Sequence, residues 1–334
     1  MPELPPDEPE MKLPNLFTEL SSEELRVTGI EDIIKNLWVQ IKRKTEVSTI
    51  KKSISKKFNL SISSIERLVS GRSSLPIQFV KEVYEIWKEI CKPSQQRIEQ
   101  IDRQLNEFSM FKGDSNSMPV TLPKALTPKL AYLLGALRDG SILTIYNNQY
   151  EVQFSQKNVK WLRNVIIPTI EEVFKIKTKV QRYGEQTPRI KVYSKPIYIF
   201  IKKVFKYPEK LQVTWEVPSL VMHSPLEIKR WFIRGFFDSE GEINIKQKRL
   251  VIHHSWNGEN PVVLKQLQEI LINDFGIESK ISKPHKERNF PSFDLTIFKE
   301  NILLFYQRIG TSHPQKIIKF QLLKGLLTAH SLAA

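Results

Sequence analysis

From Thr127 onward the spacing of apolar residues switches between helical and strand periods in the same order twice. Each round predicts a helix, a hairpin, a helix, a second hairpin and a helix. In the first round Tyr150–Gln156 alternates strictly and Val159–Phe174 has a helical period. Lys177–Gln181 and Arg189–Tyr193 read as strands, and Pro196–Phe205 as a helix. In the second round Leu250–Ser255, Ile277–Ser282 and Ser292–Phe298 read as strands, with helices over Pro261–Phe275 and Lys299–Ile309. A last amphipathic helix spans Pro314–Leu327. Alternation sends Ile176, Val180, Ile190, Val192, Ile277, Ile281, Leu295 and Ile297 to a core. It leaves Lys177, Lys179, Arg189, Lys191, Lys280, Asp294 and Thr296 on the opposite sheet faces. A sheet that is apolar and helix-covered on one side, polar and basic on the other, suits the groove of a nucleic acid.

Each round is headed by an apolar helix that ends in an acid and a glycine. The second reads Trp231-Phe232-Ile233-Arg234-Gly235-Phe236-Phe237-Asp238-Ser239-Glu240-Gly241. Gly235 and Ser239 stand four apart on one helix face, where small residues let another helix approach backbone to backbone. The partner is Leu130-Ala131-Tyr132-Leu133-Leu134-Gly135-Ala136-Leu137-Arg138-Asp139-Gly140, whose acid lies 101 positions before Glu240. The copies are unequal: five positions separate Gly235 from Glu240, four separate Gly135 from Asp139. Aligning the acids sets bulky Arg138 opposite Ser239. Either the first helix packs in another register, or Asp139 is turned by about 100° from its counterpart.

The N-terminal third is organised differently. Residues 1–20 contain five prolines and little periodicity, which predicts a flexible leader. Helical patterning begins near Ser21 and runs through Trp38. In Thr49–Gly71, Ile54 and Phe58 pair on one helix, Asn59 sits at a sharp turn, and Leu60 plugs the angle between helices. Ser61 caps a second helix with Ile65, Leu68 and Val69 inward and Ser63, Ser64, Glu66 and Arg67 outward. This spacing resembles the helix-turn-helix of the repressor-like DNA-binding family, here over about residues 45–90. Residues 21–92 are therefore expected to form an all-α helix-turn-helix domain whose Ser63, Ser64 and Arg67 face DNA. Residues 93–126 are expected to be a helical linker, marked by Gly113–Ser117 and three prolines by Pro128.

Charge changes the picture more than composition does. The 334 residues include 51 basic and 36 acidic side chains, a formal net charge of +15. Residues 1–40 hold three basic and nine acidic side chains, whereas residues 41–80 hold nine basic and two acidic. Both folded regions are thus basic, which points to a polyanion, nucleic acid ahead of membrane. No apolar run approaches 18 residues, so no transmembrane helix is expected. The acidic, proline-rich start is unlike a secretory signal, and the single cysteine, Cys91, excludes internal disulfides and cysteine-cluster zinc sites. A cytoplasmic protein is the expectation.

The two motif helices, each heading an αββαββα half, resemble the single-chain, two-motif LAGLIDADG homing endonucleases over about residues 125–330. The resemblance implies an α+β fold in which two halves (127–224 and 225–330) form a pseudo-two-fold αββαββα repeat with antiparallel saddle-shaped sheets. It implies a monomer with an internal pseudo-dimer, bound to double-stranded DNA. Its activity would be site-specific, metal-dependent double-strand DNA cleavage serving intron mobility. Asp139 and Glu240 would then meet at the bottom of the seam, where two close carboxylates repel unless a cation neutralises them. Hard oxygen ligands select Mg²⁺ or another divalent cation, which suits phosphodiester hydrolysis. By the same resemblance Asp139 and Glu240 bind the metal, aided by the carbonyls of Arg138 and Ser239. Lys195, Lys299 and Gln156 order water at the scissile phosphates, and Lys177, Lys179, Arg189, Lys191 and Lys280 contact DNA. Two rivals remain at this point: a non-cleaving, sequence-specific transcriptional regulator on the same fold, and an intron RNA maturase. Retention of both acids favours the nuclease, since a pure binder gains nothing from uncompensated carboxylates facing phosphates.

Overall fold

The computed structural model describes residues 10–145, 149–182, 185–209, 215–255, 260–284, 291–298 and 300–331. The chain folds into two compact units, neither of them a continuous stretch. One comprises residues 1–12, 125–193 and 205–334, the other residues 13–124 and 194–204.

In the larger unit the two motif helices pack directly on each other. The first, Pro128–Ala136, starts where Thr127 accepts a hydrogen bond from the Leu130 amide and Pro128 occupies the first turn. The second is Leu226–Glu240. A Cβ on Gly135 would lie 2.1 Å from the carbonyl oxygen of Phe232, and one on Gly235 would lie 2.2 Å from that of Tyr132. The contact is reciprocal. Gly135 faces Phe232 and Phe236, while Gly235 faces Tyr132 and Ala136, so the two glycines share one register, 100 positions apart. The missing residue of the first motif is absorbed further on, where Leu137–Asp139 form a 3₁₀ turn. Three residues at about 2.0 Å rise advance as far as four at about 1.5 Å, and turn about 360° rather than about 400°. Asp139 therefore reaches the height of Glu240 with an angular deficit of about 40°, not the 100° expected of an uninterrupted α-helix.

Each motif helix runs into a four-stranded antiparallel sheet of identical topology. In the first, strands Gly140–Ile145, Gln149–Ser155, Arg189–Tyr193 and Val180–Gln181 lie side by side in that order. In the second the order is Gly241–Asn244, Arg249–Ser255, Ser292–Phe298 and Lys280–Ile281. Ile190, Val192, Ile277, Leu295 and Ile297 are buried, while Ile176, Val180 and Ile281 are half-buried. The edge strands are shorter than alternation suggested. Lys177 and Lys179 precede the strand Val180–Gln181, and Lys177 pairs at 3.0 Å with Glu171 of the helix Ile167–Phe174 rather than with the sheet. The helix predicted over Val159–Phe174 forms with a wide π turn at Leu162–Ile166. Pro168 explains it: the ring cannot donate and crowds the carbonyl four residues earlier. The last helix, Pro314–Ser331, begins where expected. Trp215 stacks on Phe232 and Phe236 and meets Tyr207 at a tilt.

The smaller unit departs from expectation in three ways. First, residues 10–20 are not a leader. Met11–Lys12 pairs with Ala125–Leu126 in the larger unit, and Asn15 caps a short helix, Leu16–Glu19. Leu13, Leu16, Phe17 and Leu20 are buried, an apolar cluster outweighing the prolines. Secondly, the unit is not all-α. Leu75–Pro76, Arg26–Thr28 and Met110–Lys112 form a small antiparallel sheet, which also draws the expected linker into the fold. Thirdly, the helix Lys195–Val204 clusters with this unit and not with the half that it ends in sequence. Helices Val47–Phe58 and Ile62–Val69 are joined at Asn59, which adopts the left-handed conformation (φ 49°), and Ser61 accepts from the Ser64 amide. Ile65, Leu68 and Val69 are buried, Ser63, Glu66 and Arg67 are exposed, and Ser64 is half-buried.

Candidate active site

The seam of the two motif helices delivers its acids side by side. Burial, and after it the neighbouring Glu240 carboxylate, pushes the Asp139 carboxyl up to about 7, while Arg138 and Lys316 pull the other way. Gln156 closes the seam from the end of the first sheet. Its amide nitrogen donates to Asp139 Oδ2 at 3.3 Å and to the Ser239 carbonyl at 3.4 Å. Its own oxygen accepts from the Lys157 amide at 2.8 Å, which fixes the direction of the amide. One side chain thus ties the acid of the first motif to the backbone just before the acid of the second.

Below the seam is a polar layer. Asp238 is fully buried and accepts hydrogen bonds from Tyr132 Oη (2.7 Å), the Ser312 amide (2.9 Å) and the Thr311 hydroxyl. Trp161 Nε1 donates in turn to Tyr132 Oη at 2.8 Å. Lys316, on the last helix, donates from Nζ to the carbonyls of Phe237 (2.5 Å) and Asp238 (2.8 Å). It thereby satisfies carbonyls that the end of a helix leaves open. Burial pushes its ammonium down to about 8, held from falling further by Asp238, Glu240 and Asp139. Sequence reasoning missed this lysine, because a lysine on an amphipathic helix carries no local mark of a buried role.

The side chain of Arg138, expected to contribute only its backbone carbonyl, and His254 were also missed. Arg138 crosses from the 3₁₀ turn to the second half, with Nε 3.0 Å and Nη2 2.8 Å from His254 Nδ1. Its Nη1 stands 3.7 Å from Glu240 Oε1. Ser239, its counterpart, instead turns its hydroxyl back to the Phe236 carbonyl.

The other candidates are dispersed. Lys195 pairs at 3.5 Å with Glu24 and begins a helix of the smaller unit. Lys299 lies outside the described residues. On the polar face of the first sheet, Lys191 pairs with Glu151 at 3.0 Å and Arg189 reaches Gln153 Oε1 at 3.4 Å. Lys280 is exposed at the edge of the second sheet, and Lys179 is exposed beside the first. Ser63 and Ser64 share hydrogen bonds with the Ser61 hydroxyl, at 2.9 and 2.8 Å, on the outer side of their helix.

A bound divalent cation asks for oxygen donors converging on one point. The seam offers two carboxylates pressed together and carbonyls at helix ends beside them, a set that fits such an ion. Among the described residues, no group of three or more histidine, cysteine, aspartate or glutamate side chains is placed to hold a metal ion. No described helix is long and apolar enough to cross a membrane.

Parts of the chain are similar to known proteins. Residues 227–310 match the LAGLIDADG-like domain family. The chain is 28% identical over 145 residues to homing endonuclease I-ApeI of Aeropyrum pernix, covering 42% of this chain and 64% of that protein. It is 24% identical over 228 residues to tRNA-splicing ligase RtcB of Pyrococcus furiosus, covering 62% of this chain and 23% of that protein. The chain therefore spans just under two thirds of the first relative and about a quarter of the second. A solved structure of I-DmoI in complex with DNA and Mn aligns with a TM-score of 0.43 and 22% identity, over 55% of this chain and 97% of that one. Residues 227–310 thus carry the LAGLIDADG-like domain, and residues 128–193 copy its motif helix, sheet order and acid.

Proposed function

We propose that the protein is a site-specific, metal-dependent endonuclease that cuts both strands of DNA at the seam of the two motif helices. The observation that carries this reading is the convergence of Asp139 and Glu240, two carboxylates forced together by reciprocal glycine contacts. Such a pair is costly without a cation. Asp139 and Glu240, with the Ser239 carbonyl, would hold Mg²⁺ or another divalent ion. When bound, that ion supplies water activation and charge neutralisation at the phosphate. The rest is the chain's own work. Gln156, anchored to Asp139 and Ser239, sets the carboxylate's orientation and presents an amide to the water layer. The polar faces of the two sheets track the backbone, with Arg189, Lys191 and Lys280 as phosphate contacts. In the smaller unit, Ser63, Ser64 and Arg67 lie along flanking DNA. Lys195 and Lys299 remain candidates for ordering water through the family resemblance, and the pairing of Lys195 with Glu24 must open for that role.

The test is incubation with Mg²⁺ and a plasmid carrying the protein's own insertion locus. Wild type is expected to nick and linearise it, and Asp139→Asn and Glu240→Gln to bind without cutting. Specific binding without any nicking by the wild type, matched by both variants, would leave the regulator as the better reading.

A further inference from the structure

Arg138 is the feature the proposed chemistry does not use. It occupies the position before the acid, where the second motif has a serine turned back on its own helix. Its side chain is 12% exposed and reaches over to the other half. Two of its nitrogens, Nε and Nη2, converge on His254 Nδ1. A guanidinium has donors only, so Nδ1 is the acceptor and contributes no negative charge to the pair. The full cation is retained. His254 sits on the core face of the second sheet, 2% exposed, so the fork is held from behind by a buried strand. On its remaining side, Nη1 lies 3.7 Å from Glu240 Oε1. That is too long for a hydrogen bond but close enough for strong attraction in a partly buried site.

We propose that Arg138 is the seam's own counter-ion, competing with a divalent cation for Glu240 in the DNA-free protein. The inference rests on the metal-centred reading of Asp139 and Glu240 and deepens it. A seam with small residues at both pre-acid positions leaves its carboxylates to the metal alone. This one carries a tethered positive charge on the Glu240 side only, so the two halves are electrostatically unequal. A DNA phosphate entering the seam is a bidentate partner for the same guanidinium. Glu240 is then released to the cation when substrate arrives.

The experiment is titration of the full-length, DNA-free protein with Mn²⁺, following free ion by its paramagnetic resonance signal. Wild type, Arg138→Ser, Arg138→Met, Arg138→Lys and the double variant Asp139→Asn/Glu240→Gln are compared, with melting curves confirming that each is folded. The Ser and Met variants are expected to bind Mn²⁺ about tenfold more tightly than wild type, and the Lys variant to match wild type. Met keeps the bulk and Lys keeps the charge, so the pair separates electrostatics from packing even if Ser disturbs the fold. Equal affinity in wild type and all three Arg138 variants, abolished in the double variant, overturns the inference and leaves the metal centre standing. A gain shared by Lys also overturns it, because bulk and not charge would then be responsible. If no protein takes up Mn²⁺ in a way that depends on the two acids, the metal-centred reading fails and the inference with it.

Discussion

At the scale of single residues, the larger unit hides its polar groups in a layer directly beneath the seam, and this has a pH signature. The His313 ring packs at a tilt against Trp161, with centroids 5.7 Å apart. Burial, with Lys316 adding to it, pushes the imidazole down to about 3. In the unfolded chain the same group titrates near about 6.5. Between those values the unfolded state binds a proton that the folded state refuses. The contribution is therefore complete above about 6.5 and drains away as pH falls toward 3, at up to about 1.4 kcal/mol per pH unit. Urea midpoints at pH 7.5, 6 and 5 should fall steadily for the wild type and fall less for His313→Asn. What was readable at this scale was whatever a local pattern announces. The two acids stood at the ends of apolar helices, and Gln156 stood at the end of an alternating strand. Lys316, Arg138 and His254 act across 78 to 116 positions of sequence, and nothing beside them in the chain advertises a partner so far away.

At the scale of elements, the reciprocal glycine contact decides the fold's centre. A methyl at Gly135 or Gly235 would meet carbonyl oxygens at 2.1 and 2.2 Å, and backbone cannot step aside as a flexible side chain can. Gly135→Ala and Gly235→Ala should each cost at least about 3 kcal/mol, the upper end of overpacking penalties, measured by chemical denaturation. Gly325 supplies the contrast: within the last helix, nothing lies within 4 Å of its would-be Cβ. Gly325→Ala should leave stability unchanged or raise it by up to about 1 kcal/mol. The pairing of the motif helices was legible because small residues at matched places have few other uses. The 3₁₀ turn was not. A one-residue deficit states that something must give, yet not whether the helix slides, the acid rotates or a turn tightens. Tightening wins because it alone preserves both the close glycine contact and the height of the carboxylate.

At the scale of the whole molecule, charge is the dominant property. With a net +15, DNA binding should weaken steeply as salt rises, through release of counterions from the phosphates. Removing one phosphate contact lowers that slope by about one. Arg67→Ala is expected to do so, weakening binding about equally for any sequence while leaving the rate of cutting at saturating protein unchanged. Fluorescence anisotropy across a salt series reads the slope. The two repeated halves could be read from periodicity. The boundary of the smaller unit could not, because it is drawn by packing and not by composition. The proline-rich start hides the apolar set Leu13, Leu16, Phe17 and Leu20, and the strand Arg26–Thr28 sits inside what looks like continuous helix.

The discontinuity of the units bears on modularity. A helical segment near the start of a chain invites the picture of a bead that can be cut off or grafted elsewhere. Here the helix Lys195–Val204, with Ile197, Phe200 and Ile201 buried, belongs to the unit formed by residues 13–124, and its Lys203 pairs with Glu23. Residues 11–12, conversely, pair with 125–126. Excision of residues 1–124 would strip an apolar helix bare in the middle of the first half. The two units are interlaced along the chain, so neither can be excised or grafted as one continuous segment.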